Sequence, residues 1–167
     1  PHKLLLVEIS EYALYSINQQ LEEIIQKDTE LIPLIGSVQD IQRMKEIISI
    51  FKPSIIYHAA AYKHVPIVEH NLVEGLKNNL IGTFELANLS LENNVNNFVF
   101  ISTDKAVRPS SVMGASKRLG EMILQALYDK NSIKEKTKFS MVRFGNVLDS
   151  SGSVIPKFRK QIKDRMP

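Results

Sequence analysis

The sequence predicts an α/β fold built on a doubly wound parallel sheet. Three observations lead there. Short apolar runs alternate with segments of helical periodicity along the whole chain. The runs show little polar alternation, which fits strands covered on both faces. Capping and breaking residues fall between the two kinds of segment.

The elements follow in order. Leu4–Glu8 is an apolar strand ending in an acid. Ser10 can cap a helix over Glu11–Lys27, where Ala13, Leu14, Ile17, Leu21, Ile24 and Ile25 recur at helical spacing. Leu31–Ile35 is the second strand, ended by Gly36. Asp40 can cap a helix running to Ile50, and Pro53 breaks the chain before the strand Ser54–His58. The periodicity predicts one long helix over Ile67–Glu92, with Gly75 and Gly82 inside it. Asn97–Ile101 is the next strand. Ser110 or Ser111 starts a helix to Lys130, Phe139–Phe144 is a strand, and Ile155–Asp164 is helical.

Composition narrows the function classes. The 167 residues suffice for one domain with a core, and 44% hydrophobic with 23% charged residues is ordinary globular usage. No apolar run approaches the roughly 18 residues of a membrane span. Cysteine is absent, so disulfides and thiolate chemistry are excluded, which fits a reducing compartment. The net charge of +3 comes from mixed signs without a long basic run, which permits an anionic ligand and gives little support for nucleic-acid binding. The histidines are scattered, without metal-ligand spacing, and no metal site is expected.

The most informative stretch is Val99–Lys117. An apolar strand delivers Ser102-Thr103-Asp104-Lys105, and after a short loop Met113 and Lys117 lie four apart on one helix face. Alone, Asp104 and Lys105 are an ordinary solvated loop pair. Directly after a buried strand they stand where open α/β sheets build active sites. Further motifs are Gly36-Ser37-Val38, His58-Ala59-Ala60-Ala61, Tyr62-Lys63-His64-Val65-Pro66 with Glu69 behind it, and Asn79-Leu80-Ile81-Gly82-Thr83. The last are Arg143-Phe144-Gly145-Asn146 and Ser151–Phe158.

Together these motifs resemble the extended short-chain dehydrogenase/reductases. Within them they resemble the UDP-N-acetylglucosamine 4,6-dehydratases of polysaccharide biosynthesis. The resemblance covers essentially the whole chain but only the middle of a full enzyme. It implies a Rossmann-like fold in which residues 1–167 form a partial NAD(P)-binding domain and 144–167 begin the nucleotide-sugar-binding region. A dinucleotide-binding fold needs a glycine-rich phosphate turn after its first strand, and no G-x-G-x-x-G is present. The expectation is therefore a chain lacking the first β-α unit and the C-terminal substrate region, with two strands left exposing unpaired edges.

The resemblance also implies roles. Thr103, Asp104, Lys105, Met113 and Lys117 make the catalytic group, with Asp104 as acid for the C6 hydroxyl and Lys105 as base at C5. The family's common tyrosine is replaced by Met113, whose thioether cannot take the C4 hydroxyl proton. That proton goes to Lys117, to Asp104 through Thr103, or to water. The replacement also leans toward the branch that retains C5 configuration. Glu8, Ser37, Val38, Ala59, Ala60, Lys63, Asn79 and Lys117 are expected at the cofactor. Lys63, His64, Asn146 and Val154, Ile155, Pro156, Lys157 and Phe158 are expected at a UDP-sugar. Ser37 stands where relatives often carry an acid, and Asp149 where they carry Gly or Asn. Glu8 can bond the adenosine ribose hydroxyls and would repel a 2′-phosphate, and Ile9 follows where an NADP binder favours Arg, so NAD is preferred over NADP. A homo-oligomer is expected, in the cytoplasm or at the cytoplasmic face of the inner membrane, with any membrane tether in segments outside this chain. The alternatives are a nucleotide-sugar 4-epimerase, which needs no C6 elimination, and a non-catalytic nucleotide-sugar-binding module, which Met113 would suit.

Overall fold

A computed structural model describes residues 1–26, 28–131, 137–145, 147 and 161–164. The first strand, β1 (Lys3–Glu8), pairs in parallel with β2 (Glu30–Ile35), with Leu5 opposite Ile32. Helix α1 (Glu11–Ile24) connects them, and Ser10 caps it by accepting from the Ala13 N–H at 3.2 Å. Helix α2 (Ile41–Phe51) begins where Asp40 accepts from the Arg43 N–H at 3.0 Å. It ends at Lys52 in the left-handed region, φ 43°. Strands β3 (Ile55–His58), β4 (Asn97–Ile101) and β5 (Lys138–Val142) form a second parallel sheet in the order β3-β4-β5.

Parallel strands joined through helices confirm the α/β class. Among the described residues the strands form these two sheets, unpaired with each other. β1 and β3 thus each carry a free edge, and Tyr57 on β3 is 69% exposed.

The long helix expected over Ile67–Glu92 is a correction. It divides into α3 (Val65–His70), α4 (Leu72–Leu76), a π-helical turn (Lys77–Ile81) and α5 (Gly82–Glu92). The break at Asn71, φ −135°, interrupts the helical backbone, and the π turn admits an extra residue. Strand β5 also ends at Val142, two residues short of its expected limit. Helix α6 (Val112–Asn131) matches its expected span closely. Of the helix expected over Ile155–Asp164, residues 161–163 are helical and 155–160 lie outside the described residues.

The core joins α2, α5, β4 and α6. Met44, Ile47 and Ile48 meet Leu86, Ala87 and Leu89 around Phe98, Phe100 and Leu124. Phe98 and Phe100 alternate along β4 and are wholly buried, while Val99 and Ile101 are half-buried. Removing such apolar area from water is the main force holding β4 against the helices. It also anchors the strand whose C-terminal end carries the site.

Candidate active site

Strand β4 hands the chain to Ser102, Thr103 and a 3₁₀ turn, Asp104–Ala106. Thr103 caps that turn: its Oγ1 accepts from the Lys105 N–H at 3.3 Å. The same hydroxyl donates to Asp104 Oδ1 at 2.9 Å, and Lys105 Nζ donates to that oxygen at 3.1 Å. Hydrogen bonds from Lys105 and Thr103 hold the Asp104 carboxyl below the usual carboxylate range. Both side chains of the pair are accessible, Asp104 at 55% and Lys105 at 43%, whereas Ala106 is wholly buried and pins the turn.

Helix α6 packs directly on this turn. Its N-terminus is satisfied twice: Ser111 Oγ accepts from the Gly114 N–H at 3.1 Å, and Glu69 Oε1 from α3 accepts from the Val112 N–H at 2.7 Å. At Gly114 an added Cβ would lie 2.5 Å from the Lys105 carbonyl oxygen, so only glycine allows this approach. Met113 is buried at 3% exposure. Lys117, one turn on, is also buried; its Nζ donates to the Ile101 carbonyl at 2.8 Å and lies 4.4 Å from the Phe100 ring centre. Burial lowers the Lys117 pKa to about 8, against the opposing pull of the Glu121 charge.

The π turn places Asn79. Its Oδ1 accepts from the Tyr62 N–H at 2.8 Å and its Nδ2 donates to the Tyr62 carbonyl at 3.0 Å. Nδ2 also reaches Ser116 Oγ at 3.3 Å. Asn79 thus ties the segment after β3 to α6, and it is wholly buried. That segment presents Ala59, Ala60, Lys63 and His64 at the surface. His58 before them is a core residue: its Nε2 lies 2.8 Å from Thr83 Oγ1, and burial, helped by Lys117, lowers its pKa to about 3.

The other sheet carries Glu8 and Ser37. Glu8 Oε1 accepts from the Ser10 N–H at 2.9 Å, and Ser37 Oγ accepts from the Gln39 N–H at 3.2 Å. Val38 packs in the core, close to Gly82. The structure therefore brings Thr103, Asp104, Lys105, Met113, Lys117 and, through Tyr62 and Ser116, Asn79 into one assembly. Asn146 and Val154, Ile155, Pro156, Lys157 and Phe158 lie outside the described residues.

Sequence reasoning missed Glu121. This residue is 1% exposed and accepts from Ser102 Oγ at 2.7 Å, Arg118 at 2.9 Å and Arg143 Nε at 2.7 Å. Its spacing of four from Lys117 was the available signal, but nothing local pairs it with Arg143. Among the described residues no group of three metal-ligating side chains occurs, and no helix is long and apolar enough to cross a membrane.

Known proteins share this chain's sequence and fold. It is 48% identical over 167 residues to the capsular polysaccharide biosynthesis protein CapD of Staphylococcus aureus, covering all of this chain and 27% of CapD. It is 38% identical to a Campylobacter jejuni UDP-N-acetylglucosamine 4,6-dehydratase (inverting), over 77% of this chain and 37% of that enzyme. A UDP-glucose 4-epimerase of Rickettsia canadensis is 35% identical over 93% of this chain and 46% of its own length. The chain thus spans between a quarter and a half of these relatives. The solved structure of Pen from Bacillus thuringiensis superposes with a TM-score of 0.85 at 29% identity, over 98% of this chain and 48% of that one. The family model described as polysaccharide biosynthesis protein matches residues 1–167, and the chain belongs to that family.

Proposed function

We propose that this chain forms the catalytic core of an NAD-dependent UDP-N-acetylglucosamine 4,6-dehydratase serving glycan or capsule synthesis. One observation carries the reading: an acid and a base, Asp104 and Lys105, share a capped turn at the end of β4, packed against the helix that holds Lys117. A sugar 4-epimerase has no use for an acid–base pair of this kind, because it leaves C6 untouched.

The residues suit a nicotinamide dinucleotide. Glu8 has a second carboxylate oxygen beyond the one that holds Ser10, at the end of β1, for ribose hydroxyls. Ala59 and Ala60 present little side chain, which leaves backbone open to close approach. Lys117 has three N–H donors, and Ile101 uses one. NAD, when bound, supplies the hydride acceptor at C4 and the donor at C6. Glu8 followed by Ile9 favours NAD over NADP.

The protein's own work is proton transfer. Lys105 takes the C5 proton while Asp104 protonates the departing C6 hydroxyl, so water leaves and a C5–C6 double bond forms. The resting ion pair holds as many protons as a neutral carboxylic acid beside a neutral amine. One internal transfer converts the first into the second, and exclusion of water by a bound sugar favours it. Met113 cannot accept the C4 hydroxyl proton; the Thr103–Asp104 hydrogen bond offers one route, Lys117 or water the others. Lys63 and His64, exposed after β3, and Asn146 and Val154–Phe158 are assigned to the UDP-sugar by resemblance. The working protein is taken as a homo-oligomer in the cytoplasm or at its membrane face.

Proton NMR of the complete gene product with UDP-N-acetylglucosamine and NAD in deuterated water tests this. A new C6 methyl with deuterium at C5 is the expected result, and the C5 coupling distinguishes retention from inversion. The epimerase relatives motivate the second reading, for which C4 alone would change. Saturable binding without turnover would instead identify a binding module.

A further inference from the structure

Glu121 is the most heavily bonded carboxylate among the described residues, and nothing in the proposed chemistry uses it. It joins the middle of α6 to the first residues beyond β4 and β5. From α6 it accepts Ser102 Oγ, the first residue beyond β4, at 2.7 Å. Arg143, the first residue beyond β5, donates from Nε to Oε1 at 2.7 Å and from its terminal nitrogen to Oε2 at 2.5 Å. Arg118 donates to Oε2 at 2.9 Å. Such a two-pronged arginine–carboxylate contact fixes orientation as well as distance. Burial alone would raise the Glu121 pKa, but Arg143, Ser102 and Arg118 overcome it and bring it to about 2, so the carboxylate stays ionised.

The backbone shows what the contact holds in place. Beyond the strand ends, the Ser102 N–H donates to the Val142 carbonyl at 2.8 Å and the Asp104 N–H to the Phe144 carbonyl at 3.1 Å. Arg143 sits between those two carbonyls. We infer that the Glu121–Arg143–Ser102 cluster is a latch that sets the Asp104–Lys105 turn against the 143–145 segment, making Glu121 and Arg143 positioning residues for turnover. The kinetic part of this inference rests on the dehydratase reading; the mechanical part does not.

The test compares Arg143→Lys and Glu121→Gln in the complete gene product. Lysine keeps the charge but loses the fork. Glutamine keeps the shape but loses the charge, and Arg143→Lys stands alone if that variant misfolds. Amide hydrogen exchange at Ser102 and Asp104 should quicken at least tenfold while α2 amides hold their rate. The kcat for 4,6-dehydration should fall roughly 10- to 100-fold, with the KM for the UDP-sugar changing less than threefold, as expected when reacting groups shift by about 1 Å. Unchanged exchange at Ser102 and Asp104 in Arg143→Lys would overturn the latch. Equal quickening throughout α2, with kcat preserved in the folded fraction, would also overturn it, by showing mere structural support. A parent protein that makes no C6 methyl, with exchange still quickened only at Ser102 and Asp104, would sink the dehydratase reading and leave the latch standing.

Discussion

Gly114→Ala isolates the contact between α6 and the acid–base turn. The added Cβ would stand 2.5 Å from the Lys105 carbonyl oxygen and 3.2 Å from its carbon, where ordinary contact begins at 3.4 Å. Both atoms belong to backbone, so no flexible side chain can give way, and helix and turn must part by about 0.9 Å. Two effects on stability oppose each other. Alanine in place of glycine inside a helix gains about 1 kcal/mol. Overpacking costs about 1–3 kcal/mol. The net loss is then at most about 2 kcal/mol, a fall in Tm of a few degrees for a domain of this size. Activity should suffer more, because a misplacement near 1 Å costs about 100-fold where reacting groups must be aligned. The assay is a thermal melt beside the kcat for C6-methyl formation in the complete gene product. A variant with a raised Tm and undiminished kcat would refute the reasoning, since helix and turn would then not touch as described.

Three further predictions follow from the same geometry. Lys105→Ala should abolish C6-methyl formation while leaving UDP-sugar affinity within a few-fold of the parent by calorimetry; retained turnover would remove Lys105 from the chemistry. Asn79→Ala removes the partner of the Tyr62 N–H and carbonyl, both part-buried bonds that water can reach, so a urea titration should show a loss of about 0.5–1.5 kcal/mol per bond. The His58 pKa is lowered from 6.5 to about 3 in the fold, so between those values the unfolded chain binds a proton that the folded one refuses. That contribution is complete above pH 6.5 and should decline by up to about 1.4 kcal/mol per pH unit as the solution is acidified toward pH 3. His58→Gln should flatten the slope, read from denaturation midpoints between pH 7.5 and 5.

The regular elements were legible because their causes are local. Ser10 and Asp40 cap the helices that follow them, and a cap needs only the backbone two or three residues ahead. Asn97–Ile101 matched its strand because an apolar run between polar boundaries has one good place in a parallel sheet. The order of motifs along the chain also sufficed to put Thr103, Asp104 and Lys105 directly after β4, the strand whose last carbonyl Lys117 bonds.

Other features depended on distance in space. The π turn at Lys77–Ile81 leaves no mark on apolar periodicity, because the bonds that accompany it, from Asn79 to Tyr62 and Ser116, cross between elements. Gly114 reads as an ordinary helical glycine until α6 lies against the Lys105 carbonyl. Glu121 and Arg143 stand 22 residues apart and meet only once β5 has docked beside β4. The sequence by itself determined where the strands lie, where α1, α2 and α6 begin, and that Asp104 and Lys105 follow the C-terminal end of β4, since propensity and capping act over a few residues. Only the tertiary structure decided how that turn is held, because buried polar groups take whichever partners the packed elements bring within hydrogen-bond reach.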